Sequence, residues 1–270
     1  MKTIGELLQL SAGFLEQKGI PRPRREAEDL LSAVLSVPRL DLYMQLDRPL
    51  VEEEISRYRS FIQKRAQGTP YEYIVGKVKF LDAELSITPD VLIPRPETEI
   101  LVAKILEQIP GEPLEVWDVC TGSGCIAIAL KKARPQWSVF ASDISPIALA
   151  VAKANAVQNG VDVTFFEGDL LQPFQGRKAD VIISNPPYVT LQEYASMDKS
   201  EPKIALVGGT TGYEFYQRFA QEISTYLKPG GKVYFEIGTG MGEKVASLFS
   251  FGKKKVESDF AGHDRFVVIQ

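Results

Sequence analysis

The chain has 270 residues, with 31 Lys and Arg against 35 Asp and Glu, and its net charge of −4 argues against strong non-specific attraction to a phosphate backbone. Two cysteines close together, a single histidine and no Cys-x-x-Cys pair argue against a secreted disulfide scaffold and a structural zinc site, and favour reduced thiols in a cytoplasmic protein; no metal is expected. The first turn carries charge and no apolar run approaches the ~18 residues of a membrane span, so neither a signal peptide nor a membrane partner is expected.

Thr3-x-x-Glu6 forms a capping box, with Leu7, Leu8, Phe14 and Leu15 at helical spacing before Gly19-Ile20-Pro21 breaks the run, which predicts a helix over 3–18. Pro23 at a first helical position opens a second helix through Leu35, and 51–67 reads as a third with Ile55, Tyr58, Phe61 and Ile62 as its stripe. Residues 1–73 thus read as a small all-α bundle. A period near two in Val78, Phe80, Leu85 and Ile87 predicts a β-hairpin over 75–88, inside a linker at 74–92. Pro96 then starts a helix with Glu97 and Glu99 in its first turn, where the helix dipole favours negative charge without any need of function.

Beyond Gly111, strands and helices alternate as in a doubly wound parallel sheet of the α/β class. Strands are predicted at 114–120, 138–143, 163–166, 179–184, 232–237, 255–258 and 265–269. Helices are predicted at 124–133, from the Ser145 N-cap to the Asn159-Gly160 stop, at 212–227 and at 240–249. Lys228-Pro229-Gly230-Gly231 is expected to end the 212–227 helix.

Cys120, Thr121, Gly122, Ser123 and Gly124 lie on a strand-to-helix turn, where glycines admit a ligand to the backbone and the helix start offers free N–H groups. Gly122-x-Gly124-x-x-Ala127 with Asp143 some twenty residues on also satisfies a dinucleotide fingerprint, so this loop alone does not separate NAD from other nucleotides. Asp143 ends its strand where a carboxylate can accept from a ribose diol, or simply form an Asx turn before Ser145. Asp169 can accept from an adenine amino group, though Gly-Asp-Leu is also ordinary turn chemistry.

The choice of cofactor turns on Asn185-Pro186-Pro187-Tyr188, a polar amide, two stiff prolines and an aromatic ring at the carboxyl end of a buried strand. An amide or aryl-amino nitrogen is a poor nucleophile because its lone pair is delocalised. If Asn185 Oδ1 and the Pro186 carbonyl each accept one N–H of an NH₂ group, they orient the nitrogen and stabilise the positive charge that grows on it during attack on S-adenosylmethionine. Tyr188 would pack on the substrate plane, and no His or Cys nucleophile is needed. Cys120 and Cys125 read as small packing residues, and His263 as a turn residue between the last strands.

With Pro70-Tyr71-Glu72-Tyr73-Ile74-Val75-Gly76, Val91-Leu92-Ile93-Pro94-Arg95-Pro96-Glu97-Thr98-Glu99, and Glu201-Pro202-Lys203-Ile204-Ala205-Leu206, the chain resembles the release-factor glutamine N5-methyltransferases of the HemK/PrmC type over nearly its whole length. The resemblance implies a class I methyltransferase domain at 93–270, Rossmann-like with a seven-stranded mostly parallel sheet, preceded by the helical domain and hairpin. It implies S-adenosyl-L-methionine as donor, held by Cys120 to Gly124, Asp143, Leu170 and Asn185, with Asn185 to Tyr188 holding the acceptor. The implied acceptor is the glutamine of the Gly-Gly-Gln motif in class I peptide chain release factors, gripped by the helical domain while the hairpin sets the spacing. Leu170 departs from the aromatic residue, such as Trp, found there in some relatives. Two alternatives stay open at this point: an N6-adenine methyltransferase acting on DNA or RNA, and a non-catalytic nucleotide-binding module.

Overall fold

Thr3 opens the first helix in the computed structural model, which describes residues 2–270; Met1, the first residue of the predicted helical domain, lies outside the described residues. The Thr3 hydroxyl accepts from the Glu6 amide at 3.3 Å and the Glu6 carboxylate accepts from the Thr3 amide at 2.9 Å, so both orphan donors are met. The helices are α1 (Ile4–Gln17), α2 (Pro23–Leu35), α3 (Arg39–Tyr43), α4 (Glu52–Ala66) and α5 (Tyr71–Val75). They form one compact unit that ends at Gly76. Its core buries Ile4, Leu8, Leu15, Leu30, Leu31 and Tyr58, whose hydroxyl donates to the Ala27 carbonyl at 3.0 Å. Phe14 departs from the predicted stripe and stays 38% exposed, because Ile4, Leu7, Leu8 and Leu15 already fill the inward face of α1. Leu31→Ala empties a fully buried site and is expected to lower the unfolding free energy by about 2–5 kcal/mol, measured by urea titration.

The second compact unit begins at Lys77. Its hairpin, β1 (Lys77–Phe80) and β2 (Ala83–Ser86), is followed by α6 (Pro96–Gln108), β3 (Glu115–Val119), α7 (Cys125–Ala133), β4 (Ser138–Asp143), α8 (Pro146–Gln158), β5 (Thr164–Glu167) and β6 (Ala179–Ser184). Then come β7 (Val189–Thr190), α9 (Leu191–Ser196), α10 (Lys203–Leu206), β8 (Val207–Gly209), α11 (Glu214–Glu222), β9 (Leu227–Glu236), α12 (Gly242–Leu248), β10 (Lys254–Ser258) and β11 (Asp264–Ile269).

Seven strands pair in the order β10-β11-β9-β6-β3-β4-β5, and β11 runs opposite to both of its neighbours while the other pairs are parallel. This is the Rossmann-like, mostly parallel sheet of the class I methyltransferase fold. The central strands carry apolar runs, as a sheet covered on both faces requires: Val116, Trp117, Ile182, Ile183, Tyr234 and Phe235 are all buried. Successive strands run from β3 towards β4 and β5 on one side and from β6 to β9 on the other. The crevice where that order reverses lies between the carboxyl ends of β3 and β6.

Two segments differ from expectation. The 212–227 helix is shorter, ending at Glu222 before a 3₁₀ turn over Ile223–Tyr226, because Ile223 and Leu227 turn into the core. Lys228-Pro229-Gly230-Gly231 is a bulge inside β9: Ala179 pairs with Leu227 and Val181 already with Lys232, with Gly230 at φ +78°. The short parallel pair β7 and β8 was not predicted, since neither strand exceeds three residues.

The hairpin is fastened by side-chain amides at the end of α8, among them Asn159, which donates to the Glu84 carbonyl at 2.7 Å, and Asn155. Asn155, fully buried on α8, accepts from the Ser86 amide at 2.7 Å and donates to the Ser86 carbonyl at 3.1 Å and the Ser123 carbonyl at 2.9 Å. That side chain therefore joins β2 to the loop at the carboxyl end of β3. Among the described residues, no helix is long and apolar enough to cross a membrane.

Candidate active site

The loop after β3 is shaped by backbone conformations that side chains resist. Cys120, Gly122 and Gly124 have φ of +65°, +56° and +82°. Nothing lies within 4 Å of the place a Gly122 Cβ would take, whereas one on Gly124 would press on Ile128 Cδ1 at 3.0 Å and Ala152 Cβ at 3.1 Å. Gly122 thus leaves room on the open side and Gly124 lets α7 pack close to α8. Asp118, fully buried beneath the loop, accepts from the Thr121 hydroxyl at 2.5 Å and the Ala127 amide at 3.2 Å. Its other oxygen has no partner among the described residues, and desolvation pushes its carboxyl up to about 7.

Asp143 at the end of β4 accepts from the Gly122 amide at 2.8 Å through Oδ2 and from the Ser145 amide at 2.9 Å through Oδ1. The Asx turn is therefore real. It does not use up the carboxylate, whose two oxygens offer about four acceptor sites, and Asp143 stands at the wall of a cleft. Burial raises this carboxyl above its ordinary value, against the amides of Ser145, Gly122 and Ile144.

That cleft is lined by Cys120 to Ser123, Asp143, Asp169, Leu170 and Asn185, which come from the ends of four neighbouring strands. Gly124 stands behind it as the N-cap of α7. Leu170 is buried at φ +50° and presents an aliphatic surface to the cleft. Asp169 is committed to Arg218 at 2.5 Å, so an adenine amino group would have to share it. Ile144 and Phe215 add apolar wall.

A second cleft, lined also by Pro186, Tyr188, Met197 and Glu236, shares Leu92, Arg95, Asn185, Pro187 and Ala205 with the first. The backbone leading to it is fixed from below, where the Ser184 hydroxyl donates to the Val119 carbonyl at 2.7 Å. The Tyr188 hydroxyl is pushed up to about 12, chiefly by burial, and so stays protonated at neutral pH. Cys120 and Cys125 are free thiols whose burial raises them well above the reactive range, as packing residues require. His263 sits in the turn between β10 and β11, where its amide donates to Asp259 at 3.0 Å.

The motif reading missed several of these walls. Asp90, Val91, Leu92, Pro94, Arg95 and Thr98 line the first cleft, although 96–99 reads by itself as a capped helix start. Glu201 holds that segment in place: it accepts from the Ile93 amide at 3.0 Å and pairs with the Arg95 guanidinium. Glu236 is 2% exposed at the end of β9, directly beyond the Ser184–Phe235 pair, and burial pushes its carboxyl up to about 7. Its only trace in the sequence is a lone acid closing the apolar run Val233-Tyr234-Phe235.

Residues 6–76 match the model described as PrmC N-terminal domain, and 96–199 match the methyltransferase small domain. The release factor glutamine methyltransferase of Geobacter sulfurreducens is 39% identical over 92% of this chain and 88% of its own. That of Chlamydia trachomatis serovar L2 is 42% identical over 98% of this chain and 93% of its own. Among solved structures, a methyltransferase from Pyrococcus furiosus, 16% identical, has the same fold with a TM-score of 0.53, covering 81% of this chain and 98% of that one.

Proposed function

The chain belongs to the release factor glutamine methyltransferase family, and from that membership we propose that the two adjoining clefts hold a methyl donor and a glutamine side chain on either side of Asn185. The protein is an enzyme, an S-adenosylmethionine-dependent methyltransferase acting on the amide nitrogen of the Gly-Gly-Gln glutamine of peptide chain release factors. The observation that carries the site assignment is the shared wall: Asn185 and Pro187 line both clefts, so a nitrogen held there faces a donor without any intermediate carrier.

The residues present fit that donor. Gly122 leaves open space at a helix start, Asp143 keeps free acceptor sites at the cleft wall, and Leu170 and Ile144 offer apolar surface for a base. Cys120 to Gly124 with Asp143, Asp169, Leu170 and Asn185 would hold it, and when bound it supplies an electrophilic methyl group on a sulfonium. The chain itself supplies orientation. Asn185 Oδ1 and the Pro186 carbonyl take the two N–H groups of the glutamine amide, the prolines stop those acceptors from swinging, and the Tyr188 ring packs on the amide plane. The nitrogen loses its surplus proton to water after transfer, so no dedicated base is required. The helical domain at 1–73 recognises the release factor body, the hairpin in 74–92 joins it to the catalytic domain at 93–270, and the protein works in the cytoplasm without membrane or direct nucleic-acid partners.

Incubation with labelled S-adenosylmethionine and either a class I release factor or DNA tests the reading. Label is expected in the release factor alone; label in DNA and none in release factor defeats it. Asp143→Ala should weaken donor binding by about tenfold, the worth of one charge-assisted hydrogen bond of roughly 1.5 kcal/mol. An unchanged dissociation constant by calorimetry would remove Asp143 from the donor site.

A further inference from the structure

Three elements bring their ends together behind Asn185. Thr98 lies in the first turn of α6, Asn185 follows β6, and Glu236 ends β9. The Thr98 hydroxyl donates to Glu236 Oε2 at 2.6 Å, in a site where both side chains are 2% exposed. Asn185 Nδ2 donates to Thr98 Oγ1 at 3.4 Å, and the Asn185 side chain also reaches the Glu236 carboxylate by a hydrogen bond.

A threonine hydroxyl has one proton. Once that proton is given to a carboxylate, which can only accept, the hydroxyl oxygen can only accept from its other neighbour. The NH₂ end of Asn185 then has acceptors behind it and no competing donor, and its Oδ1 is turned the other way. An asparagine flipped about its terminal bond would present N–H groups to a substrate that itself brings N–H groups, and the clamp would repel what it has to hold.

We propose that Thr98 and Glu236 are positioning residues that set the direction of the Asn185 amide, and so decide whether the site accepts an NH₂ donor at all. The inference rests on the glutamine-clamp reading above. It goes beyond that reading by placing the control of the clamp in two buried residues outside the Asn-Pro-Pro-Tyr segment. With Glu236 ionised, the direction is unique. With Glu236 protonated, its O–H can donate to Thr98, the threonine proton becomes free to point at Asn185, and the flipped amide is no longer excluded. The charged and titratable groups around Glu236 are Glu97 on α6, which opposes ionisation, and Arg265 on β11, which favours it; Tyr188, Cys125 on α7 and Tyr216 on α11 face it as neutral groups. Burial holds the carboxyl near 7, so the two states exchange close to neutrality.

The test uses the full chain, a class I release factor and labelled S-adenosylmethionine. Thr98→Val keeps the shape and removes the hydroxyl; kcat is expected to fall about tenfold, the cost of one orienting hydrogen bond. Thr98→Ser restores kcat. In the wild-type protein kcat rises with pH through about 7, as a deprotonated Glu236 requires, and in Glu236→Gln that rise is lost and kcat stays at the low-pH level. A Thr98→Val enzyme as fast as wild type, or a Glu236→Gln enzyme with the wild-type pH profile, overturns the inference. A wild-type enzyme that labels no release factor defeats the glutamine reading instead, so the two failures are distinct.

Discussion

Asn185→Ala is expected to abolish most methyl transfer while leaving the donor bound, with a loss on the order of 10²–10³ in rate. That magnitude follows from what the side chain supplies. Amide nitrogen attacks only when its lone pair is withdrawn from conjugation and aimed at the methyl carbon, and positive charge then grows on a group that began neutral. An acceptor fixed beforehand stabilises this charge more in the transition state than in the ground state, so its loss appears in kcat rather than in KM. The donor cleft survives truncation because its remaining walls, from Cys120 to Leu170, come from other strand ends. Single-turnover transfer to a release factor, with calorimetry of donor binding alongside, measures both halves. Unchanged turnover would remove Asn185 from the chemistry; loss of donor binding in equal proportion would leave it a donor-binding residue only.

What could be read in the sequence depended on how local the cause is. The capping box at Thr3, Ser145 with Pro146, and the stop at Asn159-Gly160 are each completed within four residues, and their helices stand as predicted. Parallel strands also declare themselves, because covering both faces forces unbroken apolar runs such as Val181-Ile182-Ile183. Lys228-Pro229-Gly230-Gly231 misled because its composition is that of a helix stop, while the chain uses it as a bulge whose form is set by Ala179 and Val181 on another strand. Thr98 and Glu236 are 138 residues apart, and no spacing rule connects them. The hydrogen bond between them exists only because α6 starts where β9 ends. For the same reason Asp143 could not be resolved between an Asx turn and a ligand carboxylate: it is placed to serve as both, because two carboxylate oxygens offer more acceptor sites than the neighbouring amides fill.

Gly208→Ala is expected to slow transfer on the order of 10²-fold by displacing the backbone of the clamp while leaving its side chains intact, the size of effect that a misplacement of about 1 Å produces. Gly208 sits on β8, whose pairing with β7 lays it against the backbone of the Asn-Pro-Pro-Tyr segment. A Cβ there would stand 2.8 Å from Tyr188 Cα and 2.9 Å from the Pro187 carbonyl carbon. Real Cβ atoms do not approach backbone so closely, and no flexible side chain is available to yield, so either β8 or residues 187–188 must move. The prolines that make the clamp accurate also prevent it from absorbing the displacement locally, and the shift passes to Asn185 and the Pro186 carbonyl. Donor affinity should hold, because the loop at Cys120 to Gly124 belongs to β3. Gly160→Ala is the matched control. It lies at φ +65° with nothing within 4 Å of its added Cβ, so it should cost about 1 kcal/mol of stability and leave kcat alone. If both variants lose stability and only Gly208→Ala loses kcat, the rate depends on where the clamp is held. Equal kcat in the two would mean that the segment tolerates displacement, and the rigidity assigned to Pro186 and Pro187 would have to be abandoned.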